Sequence, residues 1–526
     1  MNWDSGWEFH PDENNLWGAS RSIKWFSNLD PKFYAYGGFP IYVYSLLASK
    51  VEARAVSAAA QTLIVILLFV IGKKLAGLSG GFLAAAMGVF SAGLMQAGHF
   101  LTVESLLGLF GLLLIFELCE VCETSKWKFR KLHIMAAAIV LGLGVGTKVS
   151  FAVFVLPFFS LLRPGLASKA GPFQIIKALA TPVLSLLVAV SVFLLTNPFI
   201  LTKWVDVMTT VEYETKVAAG SLSVFYTRQF IGTAPGWFQA IHVFPYVTGW
   251  LFLPMFLIGA FVVCFKYFKD TPCGTARSIL IGSIVAAVLS FVPFWAKWTR
   301  YVVQVLPVLI LIAGVGSAWI WEKGKLGKIL AVMAVVSFLP QFFFAMNVYS
   351  NEDTRVAAAK WAEVSIPKDA KIFTEAMDLG ILPFNPSFGK NIKLFNFYEL
   401  DEVRAEEKQA KLDSLLDESD YFIILSRRIY INSLDYPDKF PRSAKFYRSL
   451  FDGSLGYKKI YESLPGVIPA LSRNLSRIKS GTSYRFQVKP GITAEFFPEE
   501  TFEVFDNPRV LIFKNFHERP SLDQNL

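Results

Sequence analysis

The chain has 526 residues, 54% of them hydrophobic and only 17% charged, with a mean hydropathy of +0.45. That is too apolar for soluble domains of this length, so much of the surface must meet lipid. The formal charge of +10 does not indicate a nucleic-acid binder, because many Lys and Arg residues sit in short loops between apolar runs, where positive-inside topology accounts for them.

Residues 1–15 are polar, acidic and aromatic, without the basic start and apolar centre of a signal peptide. Apolar segments of spanning length, about 20 residues, follow at 54–76, 79–97, 104–122, 133–149, 176–197, 244–268, 276–295, 301–320 and 328–348. With a shorter one at 149–163 they make about ten spans. Alternate connections are basic: Lys73 and Lys74; Lys126, Lys128, Arg130 and Lys131; Arg163 and Lys169; Lys266 and Lys269; Lys323, Lys325 and Lys328. These are expected in the cytoplasm of a multi-pass protein of the plasma (inner) membrane. Residues 1–53, the turns at His99, Lys148 and Lys297, the stretch 198–243 and everything after 349 are then expected outside. A polar N-terminus on that side implies a membrane helix ahead of Met1.

Three regions are therefore predicted: a first outer loop at 1–53, a transmembrane region at 54–349 and a soluble extracytoplasmic domain at 350–526. The stretch 198–243 is too long for a plain connection, and its Trp204, Tyr213, Phe225, Tyr226 and Trp237 predict an ordered one with a helix along the membrane interface. After Tyr349 the composition becomes soluble, with a charged helical stretch at 401–417 and β-rich runs at Lys371–Thr374 and Tyr421–Leu425. The fold class expected is a polytopic α-helical membrane protein with a C-terminal α/β or α+β domain. Phe502–Phe505 and Val510–Phe513, separated by turn formers, predict a β-hairpin. Cys119, Cys122, Cys264 and Cys273 all lie near the ends of apolar segments. Cys119-x-x-Cys122 has no second pair or ligand-spaced His to complete a zinc site, and no disulfide framework is implied.

Three groups of residues could carry chemistry. His10-Pro11-Asp12-Glu13, with Asp4 upstream, puts adjacent carboxylates beside a membrane face, where burial and repulsion can keep one as a base; they could equally be the acidic first turn of a helix. Glu104, with His99 on the same outer turn, is a carboxylate at the edge of a membrane helix, costly unless it faces a cavity or partner. His99 by itself reads as a structural donor. Lys148, Arg228, Lys297 and Arg300, with Tyr301 beside the last, are cations on the side where the positive-inside rule disfavours them. They suit either an anionic ligand or snorkelling to headgroups.

Taken together, Asp4 with His10–Glu13, the His99 to Glu104 turn, Gly146-Thr147-Lys148, Thr196-Asn197-Pro198 and Arg300-Tyr301 ahead of an apolar span resemble the GT-C glycosyltransferases. The nearest branch resembles bacterial and archaeal relatives of protein O-mannosyltransferases and the lipid A aminoarabinose transferase. Phe502-Glu503-Val504-Phe505-Asp506-Asn507-Pro508 is similar to the tail of large bacterial members. The resemblance implies an inverting transfer of a sugar from a polyprenyl- or dolichyl-phosphate carrier to a hydroxyl of a protein, lipid or glycan, on the outer face. It implies Asp12 as base, Glu13 and Glu104 as its partners, and Lys148, Lys297 and Arg300 around the carrier phosphate. Asp4, His10, His99, Arg228 and Tyr301 are expected to line the substrate site. No Gly-rich phosphate loop is present, so no nucleotide is needed, and a divalent metal is allowed but not required. A transporter or flippase of lipid-linked sugars is the alternative; it predicts charges inside the spans and paired broken helices in two related halves.

Overall fold

The structure, a computed structural model, describes residues 2–160, 172–266, 274–378, 380–402, 404–463, 486–489, 492–494 and 498–516. Arg163, Lys169, Lys269 and Cys273 lie outside the described residues. The chain divides into two compact units, one of residues 11–222 and 233–345, the other of residues 2–10, 223–232 and 346–526.

The first unit is helical. It contains α1 (Pro11–Ser22), α2 (Gly38–Ser45), α3 (Lys50–Val89), α4 (Ala92–His99), α5 (Glu104–Glu123), α6 (Trp127–Thr147), α7 (Val155–Phe158), α8 (Pro172–Thr196), α9 (Trp204–Ala219), α10 (Trp237–His242), α11 (Phe244–Val247), α12 (Phe252–Phe265), α13 (Gly274–Leu289), α14 (Thr299–Val303), α15 (Leu306–Trp321), α16 (Lys325–Val336) and α17, which runs Leu339–Ser350 and ends in the second unit. Four helices among the described residues are long and apolar enough to cross a membrane: α3, α5, α6 and the run Lys325–Ser350. The chain is a polytopic helical membrane protein.

Among the described residues, fewer than the expected ten segments are uninterrupted helices of full spanning length. The expected elements are present among the described residues, but some are short or broken: α15 is a shorter apolar helix, and α10–α11 meets α12 at a 110° bend. The first two expected spans are a single 40-residue element, α3. Straight, it would reach about 60 Å, twice a hydrocarbon core. Instead Ala76 and Gly77 leave helical geometry, Gly77 at φ +68°, and the chain turns back. A Cβ on Gly72 would stand 2.8 Å from the Gly80 carbonyl oxygen, and one on Gly81 2.8 Å from that of Phe69. Only glycine allows the two arms to pack this closely. At the same end of the unit, Lys74 Nζ pairs with Glu120 at 2.5 Å and Glu123 at 2.7 Å. This joins the Lys73–Lys74 region to the last turns of α5.

The second unit is α/β. It contains α18 (Thr354–Ser365), β1 (Ile372–Glu375), α19 (Asn385–Phe388), β2 (Ile392–Phe395), α20 (Ala405–Glu418), β3 (Tyr421–Ile424), α21 (Arg428–Asp435), α22 (Pro441–Asp452), β4 (Tyr457–Glu462), β5 (Phe486–Lys489), β6 (Ile492–Ala494) and β7 (Leu511–Asn515). The main sheet has the order β2-β1-β3-β7-β4, with β1 parallel to β2 and β3, and β7 antiparallel to β3 and β4. β1 and β3 are buried at every position, as parallel strands covered on both faces must be. The β-rich runs expected at 371–374 and 421–425 are these two strands, and the charged stretch 401–417 is α20. The expected hairpin does not form. Phe502–Phe505 falls in a turn of helix at Thr501–Val504, and Val510–Phe513 runs into β7, inside the sheet. Long-range pairing of β7 with β3 and β4 overrides the local turn signal.

Candidate functional site

The first turn of α1 begins at Pro11, whose fixed φ suits a helix start, and carries Asp12 and Glu13. The acidic first turn expected as one reading of this motif is therefore present. Glu13 is completely buried. Its Oε1 accepts from Arg54 Nε at 3.0 Å and from the Leu101 amide at 2.7 Å, and its Oε2 accepts from Arg54 Nη2 at 2.5 Å. Those bonds tie α1 to α3 and to the turn before α5. Glu13 thus ties the framework together from a fully buried position.

Asp12 points elsewhere. Its Oδ2 accepts from Arg300 Nη1 at 2.5 Å, and the two side chains keep 21% and 28% exposure, so a ligand can reach the pair. Arg300 comes from α14 and lies over the Trp298 ring at 4.9 Å. Burial pulls its pKa down, but the Asp12 carboxylate overrides this and holds it well above the usual guanidinium value.

Lys148, the residue that ends α6, extends its ammonium over two rings, Tyr301 at 5.2 Å and Tyr36 at 5.7 Å. Burial lowers its pKa; the Arg300 charge adds to that, while Glu104, Asp12 and Glu214 oppose it. Glu104, the first residue of α5, is 5% exposed, and its field also acts on Arg300 and Tyr36. Burial pushes the Tyr301 phenol up to about 12, and raises Tyr36 well above its ordinary value with help from Asp12. Asp12, Glu104, Lys148, Arg300 and Tyr301, all expected in the site, thus form one electrostatically coupled cluster.

Two members were missed, Tyr36 and Glu214. Tyr36 precedes Gly37-Gly38, a pair that signals close backbone approach. The Gly37 amide donates to the Thr147 carbonyl at 2.9 Å, and the Gly38 amide donates to Asn197 Oδ1 at 2.7 Å. Asn197 Nδ2 donates in turn to the Phe193 carbonyl at 2.9 Å. Gly146-Thr147-Lys148 and Thr196-Asn197-Pro198 are therefore the frame that seats Tyr36 beside Lys148. Glu214 lies on α9 in the long outer stretch, on the face whose other members Val207, Val217 and Ala218 are buried. It keeps solvent contact, yet burial lifts its carboxyl above the usual range while Arg300 and Lys148 pull it back. An acid interrupting the apolar face of a helix was the available signal.

The other expected members make contacts of their own. Lys297 is buried and donates to the Trp295 carbonyl at 2.5 Å, with burial pushing its pKa down to about 8. His99 Nδ1 lies 2.8 Å from the Met95 carbonyl, consistent with a structural donor, and burial lowers its pKa. Asp4, His10 and Arg228 belong to the second unit. There Asp4 accepts from the Gly6 amide at 3.2 Å, and His10 packs on the Phe505 ring at 4.3 Å. Arg228 donates to the Tyr398 carbonyl at 3.1 Å and to Glu402 at 3.3 Å. Among the described residues, no group of three or more His, Cys, Asp or Glu side chains could hold a metal ion.

No family model and no curated protein matches the sequence. Among solved structures the chain is similar to the Archaeoglobus fulgidus oligosaccharyltransferase, crystallised with zinc and sulfate, at 10% identity and a TM-score of 0.46 over 96% of this chain and 84% of that one. Its apo form gives 11% and 0.47 over the same shares. The chain is also similar to ArnT from Cupriavidus metallidurans bound to undecaprenyl phosphate, at 13% identity and a TM-score of 0.42 over 82% of this chain and 92% of that one.

Proposed function

We propose that the chain is an inverting glycosyltransferase that moves a sugar from a polyprenyl- or dolichyl-phosphate carrier to a hydroxyl of a protein, lipid or glycan on the outer face of the membrane. The observation that carries this reading is the reachable Asp12–Arg300 pair, with Lys148 and Glu104 within electrostatic reach. A hydroxyl attacking an anomeric carbon needs a base in hydrogen-bond range, and the departing phosphate needs cations. Asp12 takes the acceptor proton, the acceptor oxygen bonds to the anomeric carbon, and the carbon–oxygen bond to phosphate breaks with its electron pair on the phosphate. Arg300, a planar fork, and Lys148, a point charge, meet the charge that develops there.

The pairing of base with cation gives the site an order. A carrier phosphate competes with Asp12 for Arg300, and a carboxylate relieved of its cation is the better proton acceptor. Glu104 and Glu214 balance Lys148 and Arg300 before the donor arrives, and Glu13 and Arg54 hold α1 in place.

The test is transfer from a panel of radiolabelled polyprenyl-phosphate sugars in membranes, comparing Asp12→Asn and Arg300→Lys with the unmodified chain. Asp12→Asn should lose at least about 100-fold in rate at equal expression, as for a lost general base, and Arg300→Lys should weaken donor use. Equal labelling in Asp12→Asn removes that residue from the mechanism. No labelling from any donor in any form overturns the transferase reading.

A further inference from the structure

Phe502–Pro508, singled out in the sequence, has no part in the reaction as described. In the second unit it is the anchor of a buried socket. Arg355 is fully buried, with Nε donating to Asp353 Oδ1 at 2.9 Å and Nη2 to Oδ2 at 2.6 Å. The same guanidinium donates to the carbonyls of Phe505 at 2.7 Å and Val504 at 3.3 Å. Thr354 Oγ1 donates to the Pro508 carbonyl at 2.6 Å, and the Tyr349 hydroxyl donates to Asp506. Lysine could not replace this arginine, because only a planar fork donates to a carboxylate and two carbonyls at once and still offers a flat face.

That face is occupied. The Phe9 ring centre lies 3.6 Å from the Arg355 guanidinium carbon, and the His10 ring packs on Phe505 at 4.3 Å, tilted by 37°. Phe9 is 2% and His10 4% exposed. A desolvated cation over an aromatic face and two packed rings both hold this segment in the socket. The next residue is Pro11, whose ring fixes φ, and Asp12 follows in the first turn of α1. One stiff residue separates the socket from Asp12.

We infer that Arg355 and Phe505 are positioning residues: by gripping Phe9 and His10 they fix the lead-in to α1 and so the placement of the Asp12 carboxylate. This rests on the reading of Asp12 as the base. The motif at 502–508 then has its purpose in holding the first outer loop. The soluble unit contributes to the reaction through the chain itself, whatever else it binds.

The test uses the full chain in lipid vesicles, with Phe505→Leu, Phe505→Tyr and Asp12→Asn compared by transfer kinetics and by hydrogen exchange of the amides of residues 9–14. Phe505→Leu keeps bulk but loses the ring, and Phe505→Tyr restores it. Arg355→Lys is a harsher second variant of the same socket. Phe505→Leu should raise exchange at residues 9–14 and lower kcat by about 10- to 100-fold, as expected of a roughly 1 Å misplacement, with donor KM unchanged. Phe505→Tyr should restore both. Raised exchange with unchanged kcat overturns the inference, and so does a fall in kcat without any change in exchange. Asp12→Asn keeps the two ideas apart: full activity in that variant overturns the base assignment, whereas lost activity there beside an unaffected Phe505→Leu overturns the positioning role alone.

Discussion

Glu13 turns both carboxylate oxygens to Arg54 and the Leu101 amide, whereas Asp12, one residue earlier, meets Arg300 where both groups keep contact with solvent. The two ion pairs should therefore respond differently to neutralisation. Glu13→Gln leaves the Arg54 charge buried without its counter-ion and should cost about 3–5 kcal/mol. Asp12→Asn breaks a partly exposed pair and should cost no more than about 1 kcal/mol. Thermal unfolding in detergent checks this, and equal shifts for the two variants would contradict the division of roles. The chain pattern His10-Pro11-Asp12-Glu13 made both acids legible as candidates. It could not say which keeps contact with solvent, because that depends on Arg54 and Arg300, 41 and 288 residues away from their partners. Arg300, whose planar fork suits phosphate, was the favoured cation in sequence, and Lys297 was evenly balanced between phosphate and headgroups. The turn of α14 sends one to the Asp12 carboxylate and leaves the other with the Trp295 carbonyl.

Elements were legible where hydrophobic runs were long. α5, α6 and α8 lie close to the apolar segments expected at 104–122, 133–149 and 176–197. The doubling-back of α3 was legible as two spans, though the glycine contacts between its arms were not. Gly146-Thr147-Lys148 and Thr196-Asn197-Pro198 were recognised as motifs, but their purpose appears only when α2, α6 and α8 meet. A Cβ on Gly37 would stand 2.0 Å from the Gly146 carbonyl oxygen, and that backbone cannot yield without moving Lys148, two residues on. Gly37→Ala should therefore separate α2 from the end of α6, shift Tyr36 and Lys148 together, and lower transfer by about 100-fold or more if the shift reaches 1 Å. Gly18→Ala, where nothing lies within 4 Å of the added carbon, is the control and should transfer normally. Comparable losses in the two variants would mean that the close approach at Gly37 is not what seats the cluster. The failed hairpin at 502–513 shows the limit of local signals: its turn formers were real, but β3 and β4 supply better partners for β7 than Phe502–Phe505 could.

Across the first unit, charge is sorted by end. Lys74 meets Glu120 and Glu123 at the C-terminal end of α5, beside the basic connection that holds Lys126, Lys128, Arg130 and Lys131. Glu104 begins the same helix, and its field reaches Lys148 and Arg300. A helix of 20 residues separates these ends by about 30 Å, one hydrocarbon thickness. In the orientation proposed from the loop charges, the Lys74 end lies in the cytoplasm and the Asp12 cluster outside. The same alternation of loop charges proposes the outer side for everything after residue 349. In a chain whose native cysteines are replaced by serine, Lys390→Cys should react with a membrane-impermeant maleimide on intact cells, and Lys128→Cys only after permeabilisation. The opposite pattern would place Asp12 and Arg300 in the cytoplasm. Transfer on the outer face would then be excluded, and the orientation proposed from the loop charges would be wrong for the whole molecule.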